Sequence, residues 1–161
     1  MNDLVTDLQR TVQHAAERLL AIPESHTHFT TLDGQWSAKQ VLGHLIDSAA
    51  NNHSRFVQAQ FTEDLRFAGY DQEQWVRAQH YDQADWPALV QLWKLYNLHL
   101  AHVIAHIPES TLKQRRSYHT LDHIAWQTVR AGEPTTLEYL IQDYLGHLKA
   151  HLEQIFAAAK R

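Results

Sequence analysis

The chain contains no cysteine. This absence excludes a disulfide framework, a zinc site built from cysteine thiolates and a catalytic cysteine nucleophile. Any thiol that takes part in the chemistry of this protein must therefore belong to a small molecule.

The chain also lacks an excess of positive charge. Its 161 residues carry a formal net charge of −4 at pH 7, and the sequence pI is about 6.3. Nucleic acids are bound through strongly basic surfaces, so we expect no nucleic-acid partner.

Long apolar runs are missing as well. No stretch approaches the roughly 20 apolar residues that a membrane-spanning helix needs. The N-terminal segment MNDLVTDLQR is acidic and has no long apolar run of its own. We therefore expect a cytoplasmic protein with no membrane partner.

What the chain does contain is enough apolar material for a sizeable core. Hydrophobic residues make up 44% of the sequence, and five of them are Trp. A chain of this length and composition suits one domain, so we expect a single domain over residues 1–161.

Apolar residues recur at spacings of three and four in four long stretches, which is the period of an amphipathic helix. Capping residues and prolines indicate where each helix begins and ends, as with Ser37 followed by Gln40 and Asp85 shortly before Pro87. The predicted helices run from Asp3 to about Ala21, from Ser37 to about Phe61, from Pro87 until Pro108, and from a capping box at Thr135 and Glu138 almost to the C-terminus.

Two long connections separate the second, third and fourth of these helices. The first connection holds a predicted short helix from Gln72 to Gln79, and the second holds a predicted short strand around Val129. Four long helices with no sustained strand pattern predict an all-α fold, a four-helix bundle with two long crossover connections. Bundles of this kind place their sites between facing helices.

Histidine stands out in the composition, with 13 residues. It is the commonest metal ligand in proteins. Two histidines four residues apart on a helix point the same way and can share one ion. Three pairs have this spacing, and the spacing alone does not choose among them: His102 with His106, His119 with His123, and His147 with His151.

The first two pairs have settings that favour roles other than metal binding. His99, His102 and His106 form a stripe well away from the apolar face of the third helix, which places them toward solvent or a subunit contact. His119 and His123 lie in a long connection, where we expect them to line or cover a site.

The last pair lies on the fourth helix. His151 falls within the apolar arc of that helix, and His147 lies at the edge of the arc. A buried imidazole needs either a hydrogen-bond partner or an ion, so the pattern leaves a core histidine and a metal ligand both open. His44, on the second helix, lies outside the most apolar arc of that helix, so the pattern is also compatible with a solvent-exposed side chain there.

One flank of the second helix carries an unusual set of polar side chains. At about 100° per residue, these side chains share the flank opposite the most apolar arc. The set is His44, Asp47, Ser48, Asn51 and Arg55.

This polar set resembles a known helix. The run His44-x-x-Asp47-Ser48-x-x-Asn51-x-x-x-Arg55-Phe56, preceded by Trp36-Ser37, is similar to the second helix of the DinB-like superfamily, in particular its YfiT branch.

Two further segments carry the same resemblance. Tyr70-Asp71 followed by Trp75 is similar to a segment of that branch, although Gly69 stands where proline is usual. Thr136-Leu137-Glu138 and Tyr144-x-x-His147-x-x-x-His151-x-x-Gln154-Ile155 resemble the last helix of the family, so the resemblance covers about Trp36 to Phe156.

The resemblance implies an antiparallel four-helix bundle whose second and fourth helices hold one divalent ion, usually zinc or nickel, with three imidazoles. Carried over residue by residue, the ligands are His44, His147 and His151. It also implies a homodimer, because dimers are common in the superfamily. The superfamily name implies no DNA binding, in agreement with the acidic charge.

Three neutral imidazoles leave a bound ion its full charge and at least one open position, as in catalytic sites. Similar proteins include S-transferases for thiols such as bacillithiol or mycothiol, and metal-dependent hydrolases. In the first class, a small-molecule thiol bound to the ion loses its proton and attacks an electrophile. In the second class, bound water hydrolyses an ester or amide.

We favour thiol transfer, because no second carboxylate is obviously placed beside the histidines as a general base for water. A metal-binding or interaction bundle without catalysis is a third alternative, since fold does not fix function. Asp47 and Asn51 would orient His44 or touch substrate, or else hydrogen-bond to a loop. Arg55 would form a structural ion pair or contact an anionic group of the substrate.

Overall fold

The computed structural model describes residues 1–30 and 36–160, and within these residues the chain is helical. The prediction of an all-α fold is confirmed. Short 3₁₀ turns lie at Glu24–His26 and Tyr81–Gln83. The four long helices are α1 (Asn2–Leu20), α2 (Ala38–Gln58), α4 (Trp86–Ala105) and α7 (Leu137–Ala159), and the three short ones are α3 (Gln72–Ala78), α5 (Glu109–Lys113) and α6 (Leu121–Ile124).

Capping side chains begin three of the long helices. Ser37 Oγ accepts the backbone N–H of Gln40 at 3.3 Å, and Gln40 Oε1 accepts the N–H of Ser37 at 2.9 Å, which completes the predicted capping box of α2. Asp85 Oδ2 accepts the N–H of Ala88 at 2.9 Å at the start of α4. The predicted end of α2 at Phe61 was three residues too late, because residues 59–61 form a turn.

The cap of α7 is Thr136, whose Oγ1 accepts the N–H of Tyr139 at 3.1 Å. The predicted cap, Thr135, was one residue too early. Its backbone N–H and carbonyl group instead exchange hydrogen bonds with Arg116, at 3.0 and 2.8 Å. This pairing holds Thr135 in an extended conformation and delays the start of the helix.

The predicted strand around Val129 does not form. In the described part of the chain the extended pairings are isolated bridges, including Leu65 with His119 and Arg116 with Thr135. The N–H of Val129 points to the carbonyl oxygen of Leu121 at 3.4 Å, so it closes a loop after α6.

The long helices are arranged so that α2 faces α7. Helix α1 packs on α4 and α7, and α2 packs on the same two helices, so α1 and α2 lie diagonally across the bundle. Consecutive long helices are therefore not always neighbours, which agrees with the predicted topology of two long crossover connections.

Helix α2 is unusually deep in the protein, since every residue from 41 to 49 is buried. Its own bundle neighbours cover one side, and the crossover between α2 and α4 covers the polar flank. The ring of Tyr81 in this crossover lies so close to Gly43 that a side chain there would overlap it. The polar flank of α2 therefore faces a shielded region, although its composition suggests exposure.

No helix in residues 1–30 or 36–160 has the length and apolar character needed to cross a membrane.

Candidate metal centre

Three histidines from facing helices converge inside the bundle. His44 projects from α2, and His147 and His151 project from α7, one turn apart. One ring nitrogen from each lies within 4.8 Å of the others, and the Nε2 atoms of His44 and His147 are 3.2 Å apart. Two zinc–nitrogen bonds of about 2.05 Å at a tetrahedral angle place their nitrogens about 3.3 Å apart, so the observed spacing fits one ion.

The imidazole of His151 is held by a partner outside the cluster. Its Nδ1 lies 2.8 Å from Oε1 of Gln154, one turn further along α7. Since this amide oxygen can only accept a hydrogen bond, Nδ1 carries the hydrogen and the Nε2 lone pair of His151 is left for an ion. Metal-binding histidines typically have such a partner on the second ring nitrogen.

Burial keeps two of the three imidazoles neutral at physiological pH. It lowers the pKa of His44 to about 4 and the pKa of His147 to about 3, and a charge on His151 would push both in the same direction. A neutral imidazole offers a lone pair to a metal ion, whereas a protonated one repels it.

Aromatic rings cover the histidines. The ring of Trp36 lies 5.0 Å from that of His44, and the ring of Trp126 lies 6.3 Å from that of His147. His44 is only 1% exposed, and no hydrogen-bond partner for its Nδ1 lies among the described residues.

A cavity of about 240 Å³ lies beside the cluster, between α2 and α7. His147 and His151 line it, whereas His44 does not. An ion held by the three imidazoles would therefore keep a position open toward the cavity, as catalytic sites do. The α2 side of the cavity is formed by Ser48, Asn52 and Arg55.

Asp47 makes the helix-to-loop contacts that were one of its predicted roles. Its Oδ1 accepts the hydroxyl of Tyr81 at 2.6 Å and Nε2 of Gln79 at 2.8 Å. Burial raises the pKa of the Asp47 carboxyl, and its Oδ2 has no hydrogen-bond partner in the described part of the chain. Asp47 therefore anchors the crossover on α2, and it does not line the cavity.

Asn51 does not reach the cavity either. Its Nδ2 donates to the carbonyl oxygen of Asp47 at 2.9 Å within α2. The next residue, Asn52, lines the cavity instead and was missed. Its position one turn after Ser48 on the polar flank was the available signal. At about 100° per residue, Asn52 lies about 80° around the helix from His44, at the edge of the polar flank, so the helical wheel did not include it in the set.

Arg55 lies in the cavity wall and is only 6% exposed. Its Nη2 donates to the carbonyl oxygen of Ala68 at 3.1 Å, and its Nη1 approaches Oδ1 of Asn52 at 3.5 Å. No carboxylate among residues 1–30 and 36–160 lies within 4 Å of its guanidinium, so the structural ion pair considered from sequence is not found there.

The other histidine pairs have separate settings. His99 and His102 on α4, and His106 directly after it, are exposed as predicted. His119 is structural, because its Nε2 donates to the carbonyl oxygen of Glu133 at 2.8 Å and its Nδ1 accepts the N–H of Leu121 at 3.2 Å. His123 lines the cavity, with its Nε2 3.1 Å from Asp122 Oδ2.

Sequence reasoning also missed Asp143. It lines the cavity one turn before His147, and its two carboxylate oxygens accept the backbone N–H groups of Trp126 and Gln127 at 2.8 and 2.7 Å. These bonds hold the loop after α6 against α7. They join residues 16 and 17 positions apart, which no local pattern reveals.

Two solved structures share this fold. The chain superposes on YfiT from Bacillus subtilis, described as "a probable metal-dependent hydrolase with an unusual four-helix bundle topology", with a TM-score of 0.81 and 21% identity over 99% of this chain and 86% of that one. It superposes on a mycothiol-dependent maleylpyruvate isomerase with a TM-score of 0.71 and 10% identity, over 96% of this chain and 60% of that one. No family model and no curated protein sequence matches the chain.

Proposed function

We propose that this protein is a divalent-metal-dependent enzyme that transfers a small-molecule thiol to an electrophile. His44, His147 and His151 are the proposed ligands of the ion, with zinc or nickel as the metal. These residues would hold the ion, which when bound would supply a thiolate near neutral pH by lowering the pKa of a thiol.

The observation that carries the proposal is the donor set beside the cavity. Two of the three imidazoles are held neutral by burial, the third is oriented by Gln154, and two of them line the cavity. Imidazoles alone leave the ion with its full positive charge, which favours an anionic sulfur ligand.

The surroundings favour thiol transfer over hydrolysis. Asp143 is the one carboxylate among the described residues that line the cavity, and both of its oxygens already accept backbone N–H groups. Asp47 is bound by Tyr81 and Gln79 through Oδ1, and it does not line the cavity. A metal-activated water would need a free general base, whereas a thiol gives up its proton more readily.

The chemistry then needs little from the protein beyond binding and orientation. The sulfur forms a new bond to an electrophilic carbon, the thiol proton passes to solvent, and the leaving group departs with its bonding electron pair. The rings of Trp126 and Tyr144 give the cavity an apolar part that would exclude water around the reacting atoms.

Hydrolysis is the second candidate, because the fold neighbour YfiT is described as "a probable metal-dependent hydrolase". At 21% identity this likeness concerns the fold, and function has to be argued from the site.

Metal content tests the ligand set. We expect about one zinc or nickel ion per chain in the untagged protein by elemental analysis, and loss of the ion in His44→Ala, His147→Ala and His151→Ala, with helicity retained by circular dichroism. His102→Ala, which removes an exposed histidine of α4, is the matched control and should keep the ion. Stoichiometric metal in a His147→Ala/His151→Ala double variant would refute the ligand assignment.

Two model reactions then separate the reaction classes. The metal-loaded protein should accelerate the conjugation of 2-mercaptoethanol with 1-chloro-2,4-dinitrobenzene and leave the hydrolysis of 4-nitrophenyl acetate unchanged. Accelerated hydrolysis of the ester without thiol conjugation would identify the protein as a hydrolase. Metal binding with neither activity would favour the non-catalytic alternative.

A further inference from the structure

The cavity has a second polar feature besides the histidines, the guanidinium of Arg55. Arginine keeps its charge at any physiological pH, and burying an unpaired charge is costly unless something compensates it. In the described chain its hydrogen-bond acceptors are one carbonyl oxygen and one amide oxygen, both neutral.

The Arg55 side chain uses only part of its hydrogen-bonding capacity. A guanidinium has five N–H donors, and the two contacts of Arg55 measure 3.1 and 3.5 Å. The longer contact lies at the outer limit of a hydrogen bond. Three of the five N–H donors of this cavity-lining side chain thus have no acceptor in the described chain.

Charges around Arg55 do not supply a partner. Burial lowers the pKa of Arg55, and the group that opposes this shift is the Tyr70 hydroxyl. Tyr70 lines the same cavity, and burial raises its pKa to about 12, so it is uncharged at neutral pH. Asp143, the carboxylate of the cavity, is engaged by the N–H groups of residues 126 and 127.

The second buried arginine of the described chain shows what a structural arginine looks like here. Arg116 donates to the carbonyl oxygens of Ala59 at 3.1 Å and Thr111 at 3.4 Å, lies near Gln114 Oε1 at 3.5 Å, and is influenced by the carboxylate of Asp64. It lies outside the cavity. Neither arginine has a carboxylate within 4 Å in the described chain, and Arg55 differs from Arg116 in having fewer acceptors and a position in the wall of the candidate site.

We propose that Arg55 binds a carboxylate group of a reactant that enters the cavity, so that the substrates of this protein include a carboxylic acid. Asn52 and Ser48 extend the polar wall from Arg55 toward His44 on the same helix. Guanidinium and carboxylate form paired, charge-assisted hydrogen bonds, which a buried and pre-positioned arginine favours. The inference rests on the proposed function, because it assigns the carboxylate to a reactant of the same site.

The geometry limits the size of this reactant. Arg55 follows His44 by 11 positions on α2, which corresponds to a rise of about 16 Å along the helix axis. Helical side chains lean toward the N-terminus, so the guanidinium lies closer to the histidines than this figure. With a cavity of about 240 Å³, the reactant is a small molecule whose carboxylate and reacting atom lie several bonds apart.

Binding of matched acid and amide pairs tests the proposal. The probes are benzoate with benzamide, and 3-mercaptopropionate with 3-mercaptopropionamide, titrated calorimetrically into the metal-free and the zinc-loaded protein. We expect at least tenfold tighter binding of the acid in one or both pairs, and loss of this preference in Arg55→Gln. A preference confined to the thiol pair places the carboxylate on the thiol, and one confined to the benzoate pair places it on the electrophile.

The controls separate the two proposals and guard against misfolding. Arg116→Gln removes an equally buried arginine outside the cavity and should keep the preference. Acid and amide binding equally well to the wild-type protein would overturn the inference whatever the variants do, and so would a preference that persists in folded Arg55→Gln. The metal-free protein is also titrated, so carboxylate binding can be detected even if the protein binds no metal. Metal content is measured separately, so the metal site can be confirmed even if Arg55 binds no carboxylate.

Discussion

The Nε2 atoms of His44 and His147 lie 3.2 Å apart, although 103 residues separate the two histidines in the sequence. The contact exists because α2 and α7 face each other across the bundle while the two crossovers run outside it. Helix packing therefore determines the geometry of the candidate centre, and the orientation of each imidazole depends on the groups that contact its ring.

Gln154 is expected to set the metal affinity through His151. Replacing it with Leu removes the acceptor of the His151 Nδ1 hydrogen at 2.8 Å, so the ring loses its fixed orientation and tautomer. Loss of such a partner typically lowers metal affinity by about 10- to 100-fold. Competition with a chelator of known zinc affinity measures the change.

The control for Gln154 is Gln142→Leu, an exposed glutamine on the same helix. It should leave the zinc affinity unchanged. Equal affinities for the wild-type protein and Gln154→Leu would show that the hydrogen bond does not orient a metal ligand.

Gly43 is expected to be required for the packing of the crossover on α2. A Cβ at this position would overlap the ring of Tyr81, whose hydroxyl binds Asp47 at 2.6 Å. Alanine gains about 1 kcal/mol of helix propensity, but overpacking of this kind costs about 1 to 3 kcal/mol and also displaces the hydroxyl. We expect a lower Tm for Gly43→Ala in differential scanning calorimetry.

Gly69→Ala provides the matched comparison. A Cβ there would meet only the Ile124 side chain, at 3.9 Å, which is ordinary contact. This variant should melt at or slightly above the wild-type temperature. A Gly43→Ala protein that melts as high would mean that the Tyr81 ring can move aside without cost.

The helices and their caps could be predicted because they depend on residues close together in sequence. Ser37 with Gln40 and Asp85 before Pro87 are such local signals, and both caps are observed. The start of α7 was misplaced by one residue because a distant residue, Arg116, pairs with the backbone of Thr135. The strand at Val129 failed for a similar reason, since the fold supplies no partner strand in the described chain.

The site was only partly predictable. Helical periodicity left His44 open to solvent, yet it is buried, because Trp36 and the neighbouring helix α7 cover it. The superfamily resemblance selected the three histidines that the structure brings together. Their binding of a metal, its identity, the homodimer and the cytoplasmic location all stay predictions.

The metal-free protein is expected to lose stability in acid because of His44. Burial lowers its folded-state pKa to about 4, against an ordinary value of 6.5 in the unfolded chain. Between these pH values the unfolded state binds a proton that the folded state does not, so the free energy of unfolding falls as the pH falls. For His44 alone the loss between pH 7.5 and pH 5 is about 2 kcal/mol.

Urea unfolding measures this loss. The metal-free wild-type protein and metal-free His44→Gln are compared at pH 7.5 and at pH 5. The variant should show the smaller decrease between the two pH values, because it lacks the titrating imidazole. Groups that His44 does not influence, such as Asp47 with its raised pKa, contribute to both proteins and cancel in the difference. The difference includes any change in His147, because His44 contributes to the lowered pKa of His147. Identical decreases would show that His44 is protonated as readily in the folded as in the unfolded protein.

Asp143 is expected to hold the cavity wall and to have no part in metal binding. Its carboxylate accepts the N–H groups of Trp126 and Gln127, and the Trp126 ring lies on the cavity. Asp143→Ala leaves both N–H groups without this acceptor, so the loop should loosen and Trp126, already 49% exposed, should become more accessible. Acrylamide quenching should increase, while the metal content stays at the wild-type level.

The chain has four other tryptophans, so the quenching must be assigned to Trp126. Trp126→Phe and the Trp126→Phe/Asp143→Ala double variant report the quenching of the other four tryptophans. These two proteins should be quenched equally, because the increase caused by Asp143→Ala comes from Trp126. Asp143→Asn keeps one acceptor oxygen, so its tryptophan fluorescence should be quenched less by acrylamide than that of Asp143→Ala. If Asp143→Asn instead abolished activity with the loop still closed, Asp143 would have to act on the reactants directly, and hydrolysis with this carboxylate as general base would replace thiol transfer as the better explanation of the site.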